Sequence, residues 1–280
     1  SNRNEHRWKM NQIYRWLGTT KQNVHQRLNR EIEREEEKEQ LKVILRQVRE
    51  DHPGMGCKSL YKKIKPETMG REKFFEFYGE NGFKITPKKS FRRTTDSTGV
   101  IRFPNLVKDR ELTGVNQVWV SDITYYEMNS KFYYLTFIMD QYSRRIIGYS
   151  ASKTLKTIDT TIPALKMALK RITGEEEVKP IIHSDGGGQY YSKEFLSLTK
   201  GCLRNSMCVN VYENPHAERI NGTIKNSYLK GYDPASFESL SRKLSKAVYM
   251  YNHEKPHSSL NYFTPEEYER KMNKELIILN

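Results

Sequence analysis

Long apolar runs are missing from this sequence. Mean hydropathy is −0.82, and no uninterrupted apolar stretch reaches the roughly 18 residues that a membrane-spanning helix needs. The first residues, SNRNEHRWK, are charged where a secretory signal would be apolar. Cysteine is nearly absent: Cys57, Cys202 and Cys208 are too few and too scattered for a disulfide framework or a four-ligand zinc site, and read as reduced structural thiols. No repeat of solenoid length is visible. Together these absences predict a soluble, cytoplasmic protein. Acid is also in deficit, with 34 Asp and Glu against 48 Lys and Arg, a net charge of +14. Such an excess favours a polyanionic partner. Hydrophobic residues make up 36%, including 18 Tyr and 11 Phe, which is enough apolar material for a core and excludes disorder of the whole chain.

The positive charge is unevenly placed. Residues 1–112 hold 26 basic and 16 acidic side chains, the remainder 22 and 18. The pattern divides the chain into an N-terminal region (1–50), a second helical unit (51–83), a basic linker (84–112), an α/β core (113–232) and a C-terminal helical part of that core (233–280). In the first, Ile13, Leu17, Val24 and Leu28 recur at helical spacing around Gly18-Thr19-Thr20, where a threonine can cap the following helix. This reads as helix, turn, helix. Its second helix would present Lys21, Gln22, Asn23 and Gln26 to a DNA groove; an ordinary helical hairpin with a solvated polar face accounts for the same residues. Residues 29–50 continue as a charged helix with Leu41, Ile44, Leu45 and Val48 as its apolar stripe. In the second unit, helices around Leu60 and Phe74 leave Lys62 and Lys63 for phosphates. The linker adds Lys88, Lys89, Arg92 and Arg93, which suit a phosphate backbone or a plain solvated tether.

From residue 116 the period changes to two. Segments 117–128, 132–140 and 145–151 are rich in β-branched and aromatic residues and joined by short turns such as Asn129-Ser130, predicting three antiparallel strands. A helix over 157–172 with Ile158, Ile162, Leu165 and Leu169 inward follows, then a buried strand at 179–184. Further helices are expected over 192–200, 216–230, 236–251 and 265–274, with 252–265 as loop.

Three acids stand out in this frame. Asp122 lies inside the first strand, Asp185 ends the fourth strand directly before Gly186-Gly187-Gly188, and Glu218 lies near the start of a helix. Adjacent first and fourth strands would bring the aspartates together, and a helix on that edge could add the glutamate. Three ionised carboxylates in one place need a counter-charge, and hard oxygen donors select Mg2+ or Mn2+. Singly, each acid has a plain structural reading: a strand-end carboxylate, a turn former, a first-turn helix acid. His183 reads as a core or supporting histidine before a metal ligand, His257 as a loop histidine or a phosphate contact, and Trp119 with its neighbouring tyrosines as packing or a stacking surface for splayed bases. Gly186-Gly187-Gly188 lacks the Lys-Ser/Thr of a phosphate loop.

The stretches WVSDITYY, IIHSDGGGQYYS and NPHAERINGTIK resemble the three acidic motifs of insertion-sequence-three family transposases, in the retroviral integrase superfamily. The resemblance extends from the paired helices to YNHEKPHSSLNYFTPEEYE, in the order of that family's second reading frame. It implies an α/β fold: a ribonuclease H-like core of a mixed five-stranded sheet with helices, preceded by an all-α helix-turn-helix region. It implies Asp122, Asp185 and Glu218 as a DDE triad holding two Mg2+ ions, with Mn2+ able to substitute. Lys225, seven residues after Glu218, matches the family's cation that contacts terminal DNA; Asn221 and Gly186 to Gln189 match positions near the metals. The implied activity is binding of double-stranded DNA at terminal inverted repeats, cleavage of one strand by metal-activated water, and joining of the 3′-hydroxyl to a target phosphodiester, by at least a dimer. The 32 residues between Asp185 and Glu218 are fewer than the family usually has. A DNA-binding regulator with a decayed core, and a ribonuclease H-like nuclease without strand transfer, stand as the other two readings.

Overall fold

A computed structural model describes residues 9–86, 103–172, 178–208 and 214–279, with side chains as far as 272. The chain separates into two compact units, 1–49 and 50–280. In the first, α1 (Met10–Trp16) stops at Gly18, whose φ of +64° suits a residue without a Cβ. Thr20 Oγ1 then accepts from the Asn23 amide at 3.1 Å and opens α2 (Lys21–Asp51). The second helix of the expected hairpin and the charged helix over 29–50 are thus one unbroken element. Lys21, Gln22, Asn23 and Gln26 are all exposed on it.

The second unit begins with a pair of short helices, α3 (Cys57–Ile64) and α4 (Arg71–Glu80), separated where Lys65 turns left-handed before Pro66. Leu60, Phe74, Phe77 and Tyr78 are their buried contacts. The sheet follows. β1 (Val118–Met128) and β2 (Lys131–Asp140) form a hairpin through Asn129 and Ser130, both at positive φ, which matches the twist of a tight two-residue turn. β3 (Ile146–Ser152) completes the antiparallel part, and β4 (Ile181–Ser184) and β5 (Arg204–Met207) lie parallel to β1 on its other side. Strand order is β3-β2-β1-β4-β5. With helices on both faces, this mixed five-stranded arrangement is the ribonuclease H-like fold.

Alternation along β1 assigns its two faces. Val118 and Val120 join Leu135, Phe137 and Ile181 against α7 (Pro215–Thr223), the π-helical segment Ile224–Leu229 that follows it, and α9 (Phe237–Tyr249), which comes after the short α8 (Lys230–Tyr232). Trp119 joins Ile138 and Ile182 against α5 (Thr161–Leu169) and α6 (Lys193–Thr199). The central strand is buried on both sides, so an acid within it is conspicuous. At Gly148 a Cβ would come 2.2 Å from the Ala164 carbonyl oxygen, and this is how closely β3 and α5 approach.

Helix α5 begins at Thr161 and not at 157, and Ile158, expected inside, is 57% exposed. Pro163 explains the shift: lacking an N–H, it fits the first turn, where that donor has no intrahelical acceptor. The helix α9 continues as a π-helical segment, Met250–Glu254, into the region expected to be loop, and α10 (Pro265–Leu279) runs beyond 274. Asn252 within that segment clamps the edge strand: its Oδ1 accepts from Ile146 N at 2.9 Å and its Nδ2 donates to Ile146 O at 2.8 Å. Buried Glu269 of α10 takes Arg145 at 2.7 Å, Arg171 at 3.0 Å and Ser143 Oγ at 2.7 Å, tying α10 to the β2–β3 turn. No helix among the described residues is long and apolar enough to cross a membrane.

Candidate active site

The register of the parallel pair sets the site. Ser121 of β1 lies opposite Ser184 of β4, the last pair of that ladder. The next residues on the two strands are Asp122 and Asp185, side by side at the carboxyl edge where neighbouring parallel strands leave a crevice. Being even-numbered on β1, Asp122 faces the same side as Val118 and Val120, toward α7. Asn214 anchors that helix at its start by donating to Ser121 O at 3.1 Å. Two turns in, Asn221 donates to Asp122 Oδ2 at 2.7 Å, while the Ile123 amide donates to Oδ1 at 2.8 Å. Lys225, one turn further, donates to Thr124 Oγ1 at 2.7 Å and to Tyr125 O at 3.2 Å. Glu218 is exposed on the same helix.

Charge connects the acids. Burial, then the carboxylates of Asp185 and Glu218, push Asp122 from 3.8 up to about 7, against the hydrogen bonds from Ile123 and Asn221. Burial also raises Asp185, opposed by the Gly187 amide that donates to its Oδ1 at 3.1 Å. A Cβ on Gly187 would lie 3.1 Å from that same oxygen, so glycine leaves the carboxylate its room. Beneath them, Tyr190 shares a 2.9 Å hydrogen bond with Ser121 Oγ and is raised well above its ordinary value by burial and by Asp185 and Asp122.

Among the described residues no three His, Cys, Asp or Glu side chains are gathered tightly enough to cage an ion. The acids sense one another without closing into a cluster. The donor set nevertheless suits a hard divalent cation: the carboxylates repel one another in a partly dry crevice, and Asn221 Oδ1 is buried there with no hydrogen-bond partner.

Two models of the integrase core domain match the chain, over residues 113–201 and 209–265. The uncharacterized 31 kDa protein of insertion element IS600 from Shigella sonnei is 30% identical over 209 residues, covering 72% of this chain and 76% of its own. The InsF transposase of insertion sequence IS3A from Escherichia coli is 32% identical over 175 residues, 59% of this chain and 58% of its own. The chain belongs to the insertion-sequence-three family of DDE transposases. Among solved structures it is also similar to the HTLV-2 integrase catalytic core domain in complex with magnesium, at 24% identity and a TM-score of 0.47, over 57% of this chain and 99% of that one.

In this transposase the other expected contacts are dispersed. Lys63 is held by Glu254 at 2.6 Å, and Lys62 stands 5.3 Å from the centre of the Tyr262 ring. Lys88, Lys89, Arg92 and Arg93 lie outside the described residues. Gln189 donates to Leu155 O at 3.0 Å. His183 is a core histidine as expected, 1% exposed and 2.9 Å from Ser206 Oγ. The residue-level reading missed three supports of the site: Thr124 under Lys225, Asn214 as anchor of α7, and Tyr190 under the aspartates. Only their nearness in sequence to the acidic motifs could have suggested them. It also missed β5, a short polar edge strand with no alternation.

Proposed function

We propose that Asp122, Asp185 and Glu218 are the catalytic triad, and that the protein binds terminal inverted repeats, cleaves a DNA strand and joins its 3′-hydroxyl to a target phosphodiester. The observation that carries this reading is the raised Asp122: a carboxyl held at about 7 by burial and two further carboxylates is a group awaiting a cation. The triad would hold Mg2+ or Mn2+, which supplies activation of an attacking oxygen and charge stabilisation of the leaving one. The chain's own residues orient that chemistry. Asn221 fixes the Asp122 carboxylate by its 2.7 Å bond. Gly187 donates to Asp185 and gives it space. Lys225 bonds to Thr124 of β1 in the free protein, placed to exchange that hydroxyl for a DNA phosphate. Lys21, Gln22, Asn23 and Gln26, exposed at the start of α2, are the groove-reading surface, with Lys62, Lys63, Lys88, Lys89, Arg92 and Arg93 as backbone contacts. Work on paired DNA ends calls for at least two copies.

The test is incubation with Mg2+, a pre-cleaved terminal duplex and plasmid. Joined product is expected, and Asp122→Asn, Asp185→Asn or Glu218→Gln should reduce it to the level without protein while leaving duplex binding intact. Full joining by any of the three variants rejects the triad. Nicks without joining would make the protein a nuclease, and binding without either would make it a regulator.

A further inference from the structure

Helix α7 has a second lined face. Glu218, Asn221 and Lys225 recur at three and four residues along the side turned to β1. His216, Arg219, Ile220 and Thr223 recur at the same intervals along another side, and these four line a cavity of about 230 Å3. The rest of its wall comes from Ser59 of α3, Met139 of β2, Tyr251, the β2–β3 turn through Arg144, and the Lys255-Pro256-His257-Ser258-Ser259 stretch, whose histidine the sequence offered as a loop residue or a phosphate contact. Three segments far apart in sequence thus deliver Arg144, Arg219 and Lys255 to one cavity.

We infer that this cavity is a phosphate pocket that seats one backbone phosphate of bound DNA, with Arg144, Arg219 and Lys255 as its cations. The inference rests on the DNA-binding reading above and adds to it a contact on the far side of α7 from the triad.

Charge balance carries the argument. No carboxylate lines the cavity, and among the described residues none of the three cations forms an ion pair. This contrasts with Arg145, one residue along, which Glu269 holds at 2.7 Å. The carboxylate charge that acts on Arg144 is that of Asp140, whose two oxygens are already occupied by the Asn116, Tyr142 and Ser143 amides and the Ser143 hydroxyl. The cations are also built into place. Arg144 sits at a φ of +63° and donates to His216 Nδ1 at 2.6 Å, which fixes that imidazole as a neutral acceptor. His257 packs on the Tyr251 ring with centroids 4.5 Å apart and reaches Tyr251 O at 3.3 Å. Lys255 lies 5.6 Å from the centre of the same ring. The protonation tendencies agree with a pocket short of negative charge. Burial lowers Lys255 to about 8, burial and the two arginines lower His216 to about 4, and burial and Lys255 lower His257 to about 3. Thr223 and Ser258 add hydroxyls at the wall. The volume falls below the roughly 300 Å3 at which pockets for organic ligands begin, and it suits a compact oxyanion.

A free phosphate would satisfy the same groups, so the experiment separates the two sources. The full chain is titrated with duplex DNA of random sequence across a salt series. Arg219→Gln combined with Lys255→Gln should flatten the plot of log K against log salt by about 0.9, the share of one phosphate contact, and Arg219→Lys should keep the wild-type slope. An unchanged slope in the double variant overturns the proposal. So does the case in which inorganic phosphate raises the melting temperature of the wild type but not of the double variant while the slopes coincide, because the pocket then serves a free anion. Should the double variant lose its cooperative melt, Arg219→Gln alone, at an exposed position, gives the slope. Random duplex requires no joining, so a wild-type protein that binds DNA but joins no ends would discard the activity and leave the pocket standing.

Discussion

At the scale of single residues, Asp122 is held by burial, by two hydrogen bonds and by two neighbouring carboxylates. Its proton is held up to about 7 in the folded state against 3.8 for the free side chain. Stability tied to that proton is therefore complete below about pH 4 and is lost as pH rises through 7. Melting curves without divalent cation should show Asp122→Asn gaining on the wild type between pH 4 and 8; parallel profiles would contradict the raised value. With cation present the direction reverses. Mg2+ should raise the wild-type melting temperature at pH 8, by mass action on the folded state, and leave Asp122→Asn unmoved. Asn221→Ala removes the group that orients Asp122 and should lower joining roughly 10- to 100-fold, as loss of a supporting hydrogen bond at a metal site does, with little change in duplex affinity. The sequence named both residues, the acid from its place inside a strand beside Trp119, Val120 and Ile123, and the amide from the family resemblance. It could not show that they bond to each other, because that depends on how α7 docks over β1.

At the scale of elements, the C-terminal helices act as clamps on the sheet. Asn252 serves both backbone groups of Ile146, and Asn252→Ala leaves a buried donor and acceptor without partners. The expected cost is roughly 1–3 kcal/mol for each group, read as a lower denaturant midpoint with unchanged helix content. An unshifted midpoint would mean that β3 is held by its ladder alone. The strands β1 to β4 were legible because their alternation and β-branched content are local properties. The start of α5 and the end of α9 were not. Pro163 sets the first through a missing donor, and a change to wider π-helical turns extends the second, which no 3.6-residue period announces.

For the molecule as a whole, the net charge of +14 makes DNA affinity steeply dependent on salt. Replacing Lys21 and Gln22 by alanine should weaken binding to a terminal duplex and flatten its salt dependence, while the melt of unit 50–280 stays in place, since those residues belong to the other compact unit. Equal binding would assign the α1–α2 hairpin to a purely structural role. The amino-acid sequence alone determined the strands, the helical hairpins, the polyanion preference and the three acidic motifs, all of which are written in periodicity, composition or short spacing. Tertiary structure decided the rest: that Asp122 and Asp185 follow directly on the last paired residues of two parallel strands, that Lys63 is taken by Glu254, and that Arg144, Arg219 and Lys255 surround one cavity. The physical reason is that electrostatic coupling and burial depend on distance through space, and the segments concerned lie tens of residues apart along the chain.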